Sequence, residues 1–136
     1  MMPIVKLQQG EIMKKNILII DDEQRIREIY TRLFHAIGST IFKVFEASNA
    51  QEAKEIMIRE RLDLILLDIK MPRIDGIQMF EVIKEHNPRM EIVVASVYPI
   101  EKQKKLIPFA DSYYDKSEGP LKLLEKVTSR LLLQPM

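Results

Sequence analysis

Five residues of this chain have side chains suited to phosphoryl chemistry: Asp21, Asp22, Asp68, Ser96 and Lys116. Each lies at or just beyond the end of a short apolar run. Three clustered carboxylates repel one another and resist joint ionisation unless a cation shares the site. Hard carboxylate oxygens suit Mg²⁺, which binds one or two carboxylates and keeps waters or phosphate oxygens as its remaining ligands. A carboxylate can also attack a phosphoryl group and form an aspartyl phosphate. That reaction needs in-line positioning and neutralisation of the charge on the equatorial oxygens. Lys116 offers a compact positive charge, and the Ser96 hydroxyl offers a hydrogen bond. Taken singly, each residue has an ordinary explanation. An Asp-Asp pair caps helices, a serine closes a turn and a lysine faces water. Only their joint placement argues for a site.

Placement follows from the elements. Ile17-Leu18-Ile19-Ile20, Leu64-Ile65-Leu66-Leu67 and Ile92-Val93-Val94-Ala95 are continuous apolar runs. Such runs suit strands covered on both faces, as in a parallel sheet. Phe42-Lys43-Val44-Phe45-Glu46-Ala47 alternates and reads as a half-exposed edge strand, and Ser112-Tyr113-Tyr114 as a short fifth strand. Helical spacing separates them. Ile26, Ile29, Tyr30, Leu33, Phe34 and Ile37 fall on one face, with Gly38 as the stop. Asn49 caps a second helix, with Glu52 in the capping-box position and Ala53, Ile56 and Met57 inward. Residues 77–86 form a third helix that ends before Pro88. Residues 100–109 form a weaker fourth, compromised by Pro108. A fifth opens near Pro120 with Leu121, Leu124, Val127 and Leu131 as its stripe. Strict alternation predicts an α/β fold, a doubly wound five-stranded parallel sheet with right-handed crossovers. The working site of such a sheet lies at the carboxyl ends of its strands, where these five residues fall.

Composition narrows the function classes. There are no cysteines, which excludes disulfides and thiolate metal sites and fits a cytoplasmic setting. A net charge of +1 gives no electrostatic case for nucleic-acid binding. No apolar run approaches the roughly 20 residues of a membrane span. Residues 1–13 are read as an N-terminal extension without a signal-peptide core, Met13 being a possible alternative start. Residues 14–136 are read as one domain. No effector domain is expected after the last helix, so the chain is either a stand-alone regulator or part of a longer one. His35 and His86 are expected near helix ends, away from the acidic edge, and the methionines as core fillers.

The chain resembles the receiver domains of two-component systems over about residues 16–133. Its most specific stretch is Leu64-Ile65-Leu66-Leu67-Asp68-Ile69-Lys70-Met71-Pro72-Arg73-Ile74-Asp75-Gly76. The resemblance implies a flavodoxin-like (βα)5 fold with strand order 2-1-3-4-5. It implies that Asp68 is the phosphoacceptor, and that Asp22 binds Mg²⁺ directly and Asp21 through water. The Lys70 backbone carbonyl and Asp68 would complete the protein ligands. It makes Lys116 the basic residue that follows the fifth strand, and Ser96 and Tyr113 the switch pair. The implied partners are a histidine kinase or phosphotransfer protein as donor and a downstream effector protein or domain, with no membrane insertion. A homodimer through the fourth- and fifth-helix face is possible. The domain would catalyse only its own phosphorylation and dephosphorylation, and is otherwise not an enzyme.

Three departures from the family pattern stand out. Ser117 follows Lys116 where proline is usual, so the loop either rearranges or carries strain, because a cis bond without proline costs about 2.5–4 kcal/mol. Val97 replaces a smaller residue and is expected to crowd Asp68. The span between Ser96 and Lys116 is short, which predicts an irregular fourth helix. The alternative reading is a degenerate receiver serving as a phosphorylation-independent interaction module. An aspartate-nucleophile phosphohydrolase fails because Lys70 stands where a second carboxylate is needed. A flavin protein fails because Asp21-Asp22-Glu23 would repel a phosphate.

Overall fold

In the computed structural model, residues 14–70 and 75–132 are described. The proposed extension, the Met71-Pro72-Arg73-Ile74 part of the signature and the last four residues lie outside them. The continuous apolar runs form buried strands: β1 (Lys15–Ile20), β3 (Leu64–Asp68) and β4 (Glu91–Ser96). With β2 (Phe42–Ala47) and β5 (Ser112–Asp115) they make one parallel sheet in the order β2-β1-β3-β4-β5. β2 is an edge strand, as its alternation predicts.

The runs are unbroken because both faces are covered. Side chains alternate across a strand. Ile17, Ile19, Leu64, Leu66, Val93 and Ala95 pack with Tyr30, Phe34, Leu123 and Val127 of helices α1 (Gln24–Gly38) and α5 (Pro120–Leu131). Leu18, Ile20, Ile65, Leu67, Ile92 and Val94 pack on the other face. There they meet Ala53, Ile56 and Met57 of α2 (Ala50–Arg59) and Met79 and Ile83 of α3 (Gly76–His86). Ile107, just past α4 (Ile100–Leu106), joins them. Burying each such aliphatic side chain contributes about 1.5–3 kcal/mol, so the two layers fix the register. Met57, Met79 and Met90 fill this core, as expected of them.

Several sequence expectations shift. α4 ends at Leu106, not at residue 109. Pro108 has no N–H and forces Ile107 out of helical geometry, to φ −134 and ψ 84. The N–H of Ile107 closes the helix on the Gln103 carbonyl at 2.8 Å. In α5 the stripe is centred on Leu123 and Val127, and Leu121 is exposed. Two residues span about 200° of helix, so Leu121 and Leu123 face opposite ways. In α1 the buried pair is Tyr30 and Phe34, while Ile29 and Ile37 are exposed at the margins. Asn49 caps α2 by accepting from the Glu52 N–H at 2.9 Å. The return bond of the capping box goes one residue further out, with Glu52 accepting from the Ser48 N–H and hydroxyl, both at 2.7 Å. Those bonds hold the Glu52 carboxyl below its ordinary range.

Candidate functional site

Strand parity decides which polar side chains meet. Asp21 follows Ile17 and Ile19, and Asp68 follows Leu64 and Leu66, so both continue the face covered by α1 and α5. Ile20 pairs with Leu67 across β1 and β3, which sets Asp21 and Asp68 side by side. Lys116 has the parity of Tyr114 and points the same way. Its ammonium lies 3.1 Å from Asp21 Oδ2 and 3.5 Å from Asp68 Oδ1. Asp21, Asp22 and Asp68 each bring a carboxylate oxygen within 4.8 Å of the others. Asp21 and Asp68 are buried and Asp22 is exposed.

The cluster is short of positive charge. Burial, with the Asp21 carboxylate beside it, pushes the Asp68 carboxyl up to about 7. Lys116 and the Lys70 backbone N–H pull it down without offsetting this. Burial alone would lower the Lys116 ammonium, but Asp68 and Asp21 outweigh it and leave it raised. Asp21 also accepts from the Glu23 N–H at 2.9 Å, and its carbonyl accepts from Arg27 Nη1 at 2.7 Å. These bonds fix the turn between β1 and α1. Three converging carboxylate oxygens, of which those of Asp21 and Asp68 pair with Lys116, form a donor set for a small hard cation.

A cavity of about 300 Å³ opens onto the cluster, lined by Asp22, Glu23, Asp68, Lys70, Val97 and Lys116. Val97 is exposed at its mouth. Ser96 is buried at the end of β4, and its Oγ accepts from the Tyr98 N–H at 3.1 Å. Among the described residues that hydroxyl donates to none. Ser96 has the parity of Ile92 and Val94, so it approaches from the other face of the sheet. Tyr113 is half-buried; its hydroxyl donates to the Ile107 carbonyl and accepts from the Ala110 N–H at 3.3 Å. His35 and His86 are exposed, and His86 lines a pocket with Leu62 and Met90 rather than the acidic cavity.

The loop after Lys116 is rearranged. Residues Lys116–Glu118 form a 3₁₀ turn. The Asp115 side chain accepts from the Ser117 N–H at 2.9 Å, and Glu118 accepts from the Asp115 N–H at 2.9 Å. Among the described residues no peptide is cis. Below the cluster, Gly76 opens α3 against the end of β3. A Cβ there would lie 2.5 Å from the Asp68 carbonyl oxygen. The Gly76 N–H donates to the Ile69 carbonyl at 2.7 Å, so only glycine fits this approach.

A family model for the response regulator receiver domain matches residues 17–128. The chain belongs to this family. It is a response-regulator receiver domain of the kind found in two-component phosphorelays, and its sheet order is the one shared by such domains. Among receiver-containing proteins it is similar to sporulation initiation phosphotransferase F of Bacillus subtilis. The two are 33% identical over 87 residues, covering 64% of this chain and 68% of that protein. It is 34% identical over 122 residues to transcriptional regulatory protein SrrA of Staphylococcus aureus, covering 88% of this chain. The chain spans about half, 48%, of SrrA. The receiver is also similar to the crystal structure of response regulator TrrA from Thermotoga maritima in complex with Mg²⁺-BeF. That match has a TM-score of 0.76 and 31% identity over 86% of this chain and 99% of the other. Chemotaxis response regulator CheY4 of Vibrio cholerae shares the fold, with a TM-score of 0.78 at 20% identity over 88% of this chain and all, 100%, of the other.

The structure gives roles to residues that the sequence reading did not single out. Glu23 lines the cavity, although its acidic neighbours already pointed there. Asp63 and Asp111 work at the far end of the sheet, each directly before a strand, a position that signals a strand cap. Gln103 is buried in α4; its signal was a single amide within a run otherwise split between charged and apolar residues.

Proposed function

We propose that this receiver accepts a phosphoryl group on Asp68 in a Mg²⁺-dependent reaction and thereby switches a protein-interaction surface. The observation that carries the reading is the buried Asp68 carboxylate, crowded by Asp21 and Asp22 and paired with Lys116. The donor is a histidine kinase or phosphotransfer protein. An Asp68 oxygen forms the new P–O bond as the P–N bond to the donor imidazole breaks, and the electron pair stays on the imidazole nitrogen. Asp21, Asp22, Asp68 and the Lys70 carbonyl would hold Mg²⁺, which when bound supplies charge neutralisation for the cluster and the phosphoryl oxygens.

The chain's own residues do the remainder. Lys116, already within 3.5 Å of Asp68, meets a phosphoryl oxygen as a point charge. Ser96, whose hydroxyl donates to none of the described residues, offers its hydrogen bond to another. Tyr113 forms the other half of the switch and must give up its bond to the Ile107 carbonyl if it moves. Each contact is modest, and together they need bias a two-state equilibrium by only about 1–3 kcal/mol. The chain's chemistry is confined to its own phosphorylation and dephosphorylation, its setting is the cytoplasm, and its output passes to an effector protein or domain.

Intact mass after incubation with phosphoramidate and Mg²⁺ tests this. The expected result is the gain of one phosphoryl group, lost with Asp68→Asn and with a chelator. Folded wild-type protein that gains none would favour a phosphorylation-independent module.

A further inference from the structure

Gln103 is fully buried in α4, an uncommon place for a primary amide. Its Nε2 donates twice, to the Tyr98 carbonyl at 2.8 Å and to the Tyr114 carbonyl at 2.9 Å. Its Oε1 has no hydrogen-bond partner among the described residues. A buried acceptor left unpaired is unfavourable, so the two donated bonds are what hold the amide there. Its orientation is fixed as well. Turning the amide over would aim Oε1 at two carbonyl oxygens, with no proton between them.

Those two carbonyls belong to the segments that carry the site. Tyr98 is tied at both ends of its own backbone, its N–H to Ser96 Oγ at 3.1 Å and its carbonyl to Gln103. Tyr114 lies two residues before Lys116. Strand pairing between β4 and β5 runs only as far as Ser96 and Asp115, and the Gln103 amide ties the loop beyond Ser96 back to β5. Val97, inside that loop, lines the cavity over Asp68. The Tyr98 ring lies 4.0 Å from the Lys102 ammonium and 5.5 Å from that of Lys70, another lining residue.

We infer that Gln103 is a positioning residue that sets the Ser96 hydroxyl relative to Lys116, by clamping the β4–α4 loop against β5. The inference rests on Asp68 being the phosphoryl acceptor. A double-mutant cycle with Gln103→Met and Ser96→Ala tests it, with the rate of phosphorylation by phosphoramidate as readout. Gln103→Met keeps the volume and removes both donors. Its rate should fall on the order of tenfold, since ångström-scale misplacement of reacting groups costs up to about a hundredfold. In the Ser96→Ala background the same substitution should cost nothing more, because residues acting as a unit are not additive. A merely structural glutamine would lower the melting temperature and leave the two rate effects independent. A wild-type rate in Gln103→Met, or rate losses that multiply, would overturn the inference. If Gln103→Met does not fold, the side-chain amide resonances of Gln103 serve instead. They should move on Ser96→Ala and on adding beryllofluoride with Mg²⁺, and unmoved resonances would equally overturn it. Wild-type protein that takes up no phosphoryl group would defeat the proposed function itself, and this inference with it.

Discussion

The two ends of the sheet treat their carboxylates in opposite ways. At the amino end, Asp63 precedes β3 and accepts from the Asn16 N–H of β1 at 2.8 Å, with Arg61 2.9 Å away. Asp111 precedes β5 and does the same for β4, accepting from the Ile92 N–H at 2.8 Å, with Arg130 at 3.6 Å. Each acid there accepts from the second residue of a neighbouring strand and meets an arginine, Arg130 also pairing with Glu91 at 2.6 Å. At the carboxyl end, Asp21, Asp22 and Asp68 converge on one another, Lys116 pairs with Asp21 and Asp68, and burial with like charge drives Asp68 up to about 7. The amino end stabilises the fold. The carboxyl end holds charge that the fold leaves uncompensated, as sites built to receive a cation or a phosphoryl group do.

The sharpest way to break this contrast is to neutralise one acid from each end. Asp68→Asn should abolish phosphoryl uptake, while Asp63→Asn should leave it intact, as read by intact mass. Stability should then change in opposite directions. The folded state raises Asp68 from 3.8 to about 7, so between those values it binds more protons than the unfolded chain. Stability therefore falls as pH rises from about 4 to about 7. In metal-free protein at neutral pH, Asp68→Asn should be stabilising by roughly 2–4 kcal/mol, at about 1.36 kcal/mol per unit, with Lys116 keeping Asp21 as its partner. Thermal melts at pH 4.5 and 7.5 should show the slope in the wild type. They should show it lost in Asp68→Asn and lost on saturation with Mg²⁺. Asp63→Ala or Asp111→Ala should instead cost about 1–3 kcal/mol for the orphaned N–H, measured by urea denaturation.

Gly76→Ala probes the support beneath the acidic end. The added methyl would meet the Asp68 carbonyl at 2.5 Å, and overpacking of this kind costs about 1–3 kcal/mol. Because the displaced backbone is that of Asp68, uptake should slow as well, which no stabilising acid at the amino end would do. The smallest effect is expected at Val97. It is 63% exposed although it lines the cavity, so Val97→Ala should speed loss of the phosphoryl group by no more than a few-fold. An unchanged hydrolysis rate would remove the steric argument.

The contrast also explains what could be read from the sequence. The acidic end was legible because its residues terminate unbroken apolar runs, and a strand's end is fixed by where such a run stops. Asp68 after Leu64-Ile65-Leu66-Leu67 needed no coordinates. The amino end was harder to read, because Asp63 and Asp111 act through backbone N–H groups of neighbouring strands, and which N–H each acid meets is set by register. The same limit hid Gln103, whose partners are carbonyls of two other elements. Leu121 was misplaced because a leucine at three-residue spacing fits the stripe locally, while the packing centres on Leu123 and Val127. Pro108 announced a weak α4, and the helix stops at Leu106 because the residue before the proline, Ile107, leaves helical geometry.

Tryptic cleavage after Arg61 and Lys70 releases residues 62–70, a peptide carrying one acid from each end of the sheet, Asp63 and Asp68. Borohydride reduction of the phosphorylated protein converts an aspartyl phosphate to homoserine, and fragmentation of this peptide locates the change. The account predicts conversion at position 68 and an untouched Asp63. Conversion at position 63, or a phosphorylated protein in which residues 62–70 are unchanged, would contradict it.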